Sequence, residues 1–233
     1  MKPSLLKFIG MNYSFLRENN IKPIDNDFIF LFDIDDTLYK ASENMKKAEL
    51  EAFEFAYNTF KHKNKNAPNF ARFYAESHIC VERFHFYFNI SPIEAEQARK
   101  FDFKKFIKKD KNLKNCLDKI PYRKWCFTNG TRARAETILA ELGLLNSFEG
   151  VICLDGELSD ESCLGKPYDN AYKFVEELLK INDPKKVYFY DDSSNNIAAG
   201  LKRGWNSTLI GQDDNLVLIL ENDLENILND IDR

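Results

Sequence analysis

The most regular feature of the chain is a series of short apolar runs separated by segments of helical periodicity. Five runs read as buried strands: Phe28 to Ile34, Lys124 to Thr128, Gly150 to Leu154, Val187 to Tyr190 and Ser207 to Ile210. Several are continuously apolar rather than alternating, the pattern of a parallel strand covered on both faces. Between them, Ala135, Ile138, Leu139 and Leu142 recur at helical spacing, and Gly143 is placed to end that helix. Tyr172, Val175, Leu178 and Leu179 mark another helix, with Asp169 as its expected N-cap, and Leu224, Ile227, Leu228 and Ile231 mark a last one. This alternation predicts an α/β fold: a doubly wound, Rossmann-like parallel sheet.

The alternation breaks between Tyr39 and Ile120, where only helical patterns occur. Leu50, Phe53, Tyr57 and Phe60 share one face, as do Leu113, Cys116, Leu117 and Ile120. Roughly 80 residues of helix are too many for an ordinary crossover. The expected organisation is a core of residues 1–38 and 121–233 with a helical cap, 39–120, inserted after the first strand. Residues 61–69 read as a polar loop within the cap. The N-terminal stretch faintly resembles a signal peptide, but Lys7 interrupts it and no small-residue cleavage site follows. Leu5, Ile9, Tyr13 and Leu16 instead suggest an extra amphipathic helix on the core.

Composition narrows the class. Apolar residues make up 44% of the chain and charged ones 30%, and the net charge is −4, so a soluble core is expected and nucleic-acid polymers are not. No apolar run approaches the length of a membrane span. The five cysteines include no CxxC pair and read as reduced thiols, and His62, His78 and His85 are not spaced with them for zinc. A cytoplasmic location is the default expectation, with a nuclear one left open.

Four segments carry candidate chemistry. The strand Phe28-Ile-Phe-Leu-Phe runs straight into Asp33-Ile-Asp35-Asp36-Thr37. Carboxylates at the carboxyl end of such a strand repel each other and are costly to desolvate, a cost that a divalent cation relieves. In an extended chain Asp33 and Asp35 share a side and Asp36 points away. A solvated acidic turn or a helix cap accounts for the same residues. The second segment, Phe127-Thr128-Asn129-Gly130, sits where a strand meets a helix, a place suited to phosphate oxygens and equally to a plain turn. In the third, Lys166-Pro167, proline pushes Lys166 toward extended geometry and is placed to open the following helix, although a single lysine is ordinarily a surface residue. The fourth, Asp191-Asp192-Ser193-Ser194-Asn195-Asn196, again ends an apolar strand in acids. Two acid-tipped strands at one sheet edge suggest a hard-cation site with oxygen ligands, Mg²⁺ rather than zinc, although a second acidic turn by chance accounts for the same residues.

Taken in this order, DIDDT at 33–37, FTN at 127–129, KP at 166–167 and DDSSNN at 191–196 resemble the motifs of the haloacid dehalogenase superfamily of phosphohydrolases. LFDIDDTLY, CFTNG and VYFYDDSSNN look most like its pyrimidine 5′-nucleotidase subgroup, which usually has Asn where this chain has Asp36. The resemblance implies a Mg²⁺-dependent phosphomonoesterase with Asp33 as covalent nucleophile and Asp35 as acid/base. Lys166 would balance charge and bind phosphate, as would Thr128 and Asn129. Metal ligands would be Asp33, Asp35 through its backbone carbonyl and Asp192, with Asp191 direct or through water, and Thr37 and Asn196 would support the site from behind. The implied partner is a small phosphorylated metabolite, a nucleotide above all. A sugar-phosphate phosphatase or phosphomutase is the alternative, and an idle binding scaffold a more distant one. A carbon–halogen hydrolase would need neither Asp35 nor the metal acids. Cap aromatics Phe70, Phe73, Tyr74, Phe84, Phe86, Tyr87 and Phe88 are available to stack on a base, although most read as cap core. Lys104, Lys105, Lys108, Lys109, Lys111 and Lys114 read as a solvated face.

Overall fold

A computed structural model describes residues 6–18, 28–76 and 80–231. Strands β1 (Lys7–Gly10), β2 (Ile29–Phe32), β3 (Arg123–Phe127), β4 (Gly150–Cys153), β5 (Val187–Asp191) and β6 (Asn206–Leu209) form one sheet in the order β1-β4-β3-β2-β5-β6. Every pairing is parallel. The doubly wound α/β class expected from the apolar runs is therefore observed. From β2 the chain winds outward through β3 and β4, then returns to add β5 and β6 on the other side. This reversal makes the β2–β5 boundary the topological switch point, where such sheets bind ligands beyond the strands' carboxyl ends.

The side-chain alternation of β2 divides the core between two faces. Ile29 and Leu31 pack with Trp125, Phe127 and Phe189 against α8 (Asp169–Leu179), whose Tyr172, Phe174 and Val175 are buried. On this face α9 (Ser194–Lys202) adds Ile197. Phe30 and Phe32 face the opposite layer of α6 (Lys111–Lys119), α7 (Arg132–Leu142) and α10 (Leu216–Ile231), through Leu117, Ile138 and Leu220 among others. Gly150 lets β4 approach β3 closely: a Cβ there would lie 2.2 Å from the Trp125 ring.

Between β2 and α6 stand α2 (Glu43–Phe60), α3 (Phe70–Ala75), α4 (Cys80–Phe88) and α5 (Pro92–Arg99). Ser42 caps α2 by accepting from the Met45 amide, and Ser91 and Glu94 form a capping box on α5. Phe53, Tyr57, Phe73, Phe84 and Phe88 make an aromatic core for this insert, while Leu50 is exposed. Leu113, Cys116, Leu117 and Ile120 lie instead in the sheet's own layer with Phe30 and Phe32.

Several local expectations are corrected. The N-terminal apolar residues do not form a single helix: Ile9 lies on β1, which adds to the sheet edge beside β4, and Tyr13 and Leu16 lie on the short α1 (Tyr13–Glu18). Backbone pairing to an open edge outweighs a weak helical pattern. Leu5 and His78 fall outside the described residues. Asp169 is the first helical residue of α8 rather than its cap, which is Tyr168, and its carboxylate pairs with Lys173 and Arg203. The last helix begins at Leu216, and its buried face is Leu216, Leu220 and Ile227, with Leu228 exposed. Gly143 does end α7, in a left-handed conformation at φ 76°. Cys116, Cys126, Cys153 and Cys163 are free and buried. Among the described residues no helix is long and apolar enough to cross a membrane.

Candidate active site

A cleft of about 580 Å³ opens at the switch point, between the carboxyl ends of the strands and the helical insert. Asp33, Asp35, Asp36, Thr128, Asn129, Lys166, Asp192 and Asn196 line it from the core. Lys46, Glu49, Leu50, Phe53, Tyr74, Glu96 and Arg99 line it from the insert. The four segments, distant in sequence, thus meet in one place.

The centre is a buried ion cluster. The Lys166 ammonium, 1% exposed, donates to Asp33 Oδ1 at 2.7 Å, to Asp191 Oδ2 at 2.6 Å and to the Phe127 carbonyl. The Phe127 and Phe189 rings flank it at 5.0 and 5.4 Å. Burial alone would push this ammonium down, but the Asp191 and Asp33 carboxylates hold it above its ordinary value, so it stays charged. Asp33 is pushed well up by burial, with the Asp191 and Asp35 charges adding to the effect and Lys166 opposing it. Its amide donates to the Tyr190 carbonyl, which ties the ends of β2 and β5 together.

Asp191 is enclosed. Its Oδ1 accepts from the Ser193 amide and Asn196 Nδ2, and its Oδ2 from Lys166 and Asn196. Such a carboxylate orients Lys166 and the loop and has little capacity left for a metal. Asn196 is accordingly a bracket for Asp191. Asp192 opens onto the cleft, and partial desolvation of its carboxyl there, with the nearby Asp191 and Asp36 charges, pushes it up to about 6.

Two expectations change in kind. The Asn129 carboxamide is engaged by protein: its Nδ2 donates to the Lys166 carbonyl and its Oδ1 accepts from the Lys166 amide, both at 2.7 Å. It is the clamp that seats the Lys166 loop. The clamp needs Gly165, whose φ is 100° and where a Cβ would fall 2.5 Å from Asn129 Oδ1. Asp36 does not point away, because the chain turns rather than extends after Asp33. It sits at φ 53°, lines the cleft and accepts from the Ala41 amide at 2.9 Å. Thr128 Oγ1 accepts from the Gly130 amide, leaving its hydroxyl proton for the cleft, and Thr131 caps α7. The Thr37 hydroxyl is buried with no partner among the described residues. Pro167 does not open α8, which starts two residues later.

The sequence did not reveal what holds Asp35. Arg134 grips it as a fork, Nε at 3.2 and 3.0 Å from the two carboxylate oxygens and Nη2 at 2.8 Å from Oδ1, and the Tyr39 hydroxyl donates to Oδ1 at 2.6 Å. Burial would raise the Asp35 carboxyl, but Arg134 and Tyr39 outweigh it and hold the carboxyl below its ordinary value. Arg134 Nη2 also reaches Glu49 of α2 at 2.7 Å, and Glu49 faces Arg99 at 3.5 Å. A signal was present: Arg132 and Arg134 open α7, where the helix dipole disfavours cations, so a carboxylate partner was to be expected.

Among the described residues no three His, Cys, Asp or Glu side chains are grouped to hold an ion. A set built from two carboxylates and a backbone carbonyl would not form such a group. The donor chemistry fits a hard cation: Asp33, Asp35 and Asp192 line the cleft with oxygen donors, and desolvation and mutual repulsion raise Asp33 and Asp192 in the way a bound cation relieves.

The model of the haloacid dehalogenase-like hydrolase family matches residues 29–204, which span β2, the helical insert and β5. The chain belongs to that family. Haloacid dehalogenase-like folds are also its solved likenesses. A HAD-like family hydrolase from Porphyromonas gingivalis superposes with a TM-score of 0.54 at 13% identity, covering 85% of this chain and 98% of that one. A haloacid dehalogenase-like hydrolase from Bacteroides fragilis gives 0.52 at 15% identity, covering 79% of this chain and 87% of that one. At these identities the likeness speaks for the HAD fold alone.

Proposed function

We propose that this HAD-like hydrolase is a Mg²⁺-dependent phosphomonoesterase working through a phosphoaspartyl intermediate, with pyrimidine nucleoside 5′-monophosphates as substrates. The observation that carries the reaction type is the triad of Asp33, Lys166 and Asp191 buried at the switch point, with Asp35 two residues beyond and Thr128 beside it. An Asp33 oxygen attacks phosphorus and the phosphorus–oxygen bond to the leaving group breaks. Asp35, which Arg134 and Tyr39 hold low at rest, takes the proton carried by the bound phosphate monoester and passes it to the departing alkoxide, then takes one from the water that attacks the acyl phosphate, and inorganic phosphate leaves. Lys166 offsets negative charge around the nucleophile, and Thr128 donates to a phosphate oxygen. Asp33, the Asp35 backbone carbonyl and Asp192 are the groups that would hold Mg²⁺, whose charge lowers the repulsion between nucleophile and phosphate. Asp191 and Asn129 serve by seating Lys166.

The insert, residues of α2 to α5, supplies the selectivity in this reading. Of the aromatic side chains on its helices, Phe53 and Tyr74 line the cleft, and Tyr74 is about half exposed, suited to stacking on a base. Phe73, Phe84 and Phe88 are buried core. The lysines at 104–114 do not line the cleft, which leaves Lys46 as the lysine contributed by the insert. The Glu49 and Glu96 carboxylates at the same wall favour hydroxyl-bearing leaving groups, and so keep a sugar phosphate as the second reading.

Two results are expected. Phosphate release should require Mg²⁺, fall to background in excess chelator and return on adding the ion; full turnover by metal-free protein would remove the cation from the reaction. In a panel of UMP, CMP, AMP, GMP and a hexose phosphate, kcat/KM should favour the pyrimidine nucleotides over the purine ones by roughly 10- to 200-fold, the range that pocket fit provides. Equal values would leave a general phosphatase, and a preference for the hexose phosphate would select the second reading.

A further inference from the structure

The geometry points to Arg134 as the positioning residue for Asp35, coupled through Glu49 to the helical insert, so that the acid/base carboxylate is aimed only while α2 is seated on the core. The inference rests on the phosphomonoesterase reading of the site.

Three observations carry it. The first is the asymmetry of the grip. Asp35 Oδ1 accepts from Arg134 Nε, Arg134 Nη2 and the Tyr39 hydroxyl, whereas Oδ2 accepts, among the described residues, from Nε at 3.0 Å. Oδ2 is thus the oxygen with lone-pair capacity left to carry a proton, and the planar guanidinium fixes where that oxygen points. The second is the bridge. The same Nη2 spans Asp35 at 2.8 Å and Glu49 at 2.7 Å, and the chain of charges continues through Arg99 at 3.5 Å to Glu96, 3.4 Å beyond it on α5. Withdrawal of α2 removes one of the two carboxylates holding that nitrogen. The third is the seat of Arg134. Its side chain is 10% exposed and stacks on Phe103 at 4.7 Å, so the guanidinium is seated against the core and not free to swing.

Leaving-group chemistry separates positioning from a merely structural ion pair. A nitrophenolate departs as an anion without a proton, whereas an alkoxide needs one. With enzyme in excess and Mg²⁺ present, the first turnover reports departure of the leaving group before the later step in which Asp35 acts as base. We expect Arg134→Gln to slow first-turnover alcohol release from an alkyl phosphate by about 10²-fold, the scale of a misaimed catalytic group, and to leave nitrophenolate release from nitrophenyl phosphate nearly unchanged. Arg134→Lys keeps the charge but loses the fork, and should show the same split, so the test survives if the Gln variant does not fold. Glu49→Gln should split the two esters in the same direction by a smaller factor. Equal loss on both esters, or no loss on either, in a folded variant overturns the positioning role alone. A wild-type protein that releases neither leaving group overturns the phosphomonoesterase reading and the inference with it.

Discussion

Asp33→Asn is expected to abolish turnover while leaving the protein folded. Asn keeps the volume of the side chain, and its carbonyl oxygen can still accept from Lys166, which also retains Asp191 at 2.6 Å. The wild-type carboxylate is buried with the charges of Asp191 and Asp35 nearby, and it is pushed well above its ordinary value. A neutral isostere removes that repulsion, so stability should be unchanged or slightly higher, the signature of a residue kept for chemistry at a cost to the fold. Activity should fall on the order of 10⁴- to 10⁶-fold, the scale seen when a nucleophile or its base is removed. Phosphate release and urea unfolding measured together decide the matter. A folded variant with full activity would end the covalent mechanism; loss of both fold and activity would show Asp33 to be structural.

The legibility of this outcome from the amino-acid order was uneven, for physical reasons. Strands buried on both faces write continuous apolar runs, so β2 to β5 could be read almost to the residue. The acid-tipped ends of β2 and β5 follow from the same reading, because an acidic turn is common once but two at one sheet edge, each ending a buried strand, point to a shared site. β1 escaped because it covers a sheet edge: its four residues, KFIG, have mixed exposure, and its pairing with β4 joins positions more than 140 residues apart. The direction of individual side chains was also hidden. Asn129 could be placed at the site but not turned toward Lys166, since the Gly165 backbone that permits the clamp is remote in sequence. Asp36 was assigned by extended alternation at the very point where the chain turns. Arg134 and Glu49 are 85 positions apart, and ion pairs across such distances leave no periodicity. Only the oddity of arginine opening a helix hinted at it.

Lys166→Met should cost the fold as well as the reaction. Methionine matches the length of the stem and its apolar contacts with Phe127 and Phe189, so the change isolates the ammonium. What remains is two carboxylates, Asp33 and Asp191, with side chains 9% and 0% exposed and no cation between them. The Phe127 carbonyl also loses a donor. Breaking a buried pair from one side typically costs about 3–5 kcal/mol, far more than loss of a surface pair such as Lys173–Asp169. Removing a carboxylate along with the lysine should recover part of that loss, so the double variant Lys166→Met with Asp191→Asn is expected to be more stable than Lys166→Met alone. Turnover should stay low in both, because neither restores positive charge beside the nucleophile. The measurement is a double-mutant cycle of urea unfolding with parallel phosphate release. Additive stabilities would mean that Lys166 and Asp191 do not interact, and wild-type turnover in Lys166→Met would mean that the buried ammonium serves packing and not phosphate chemistry.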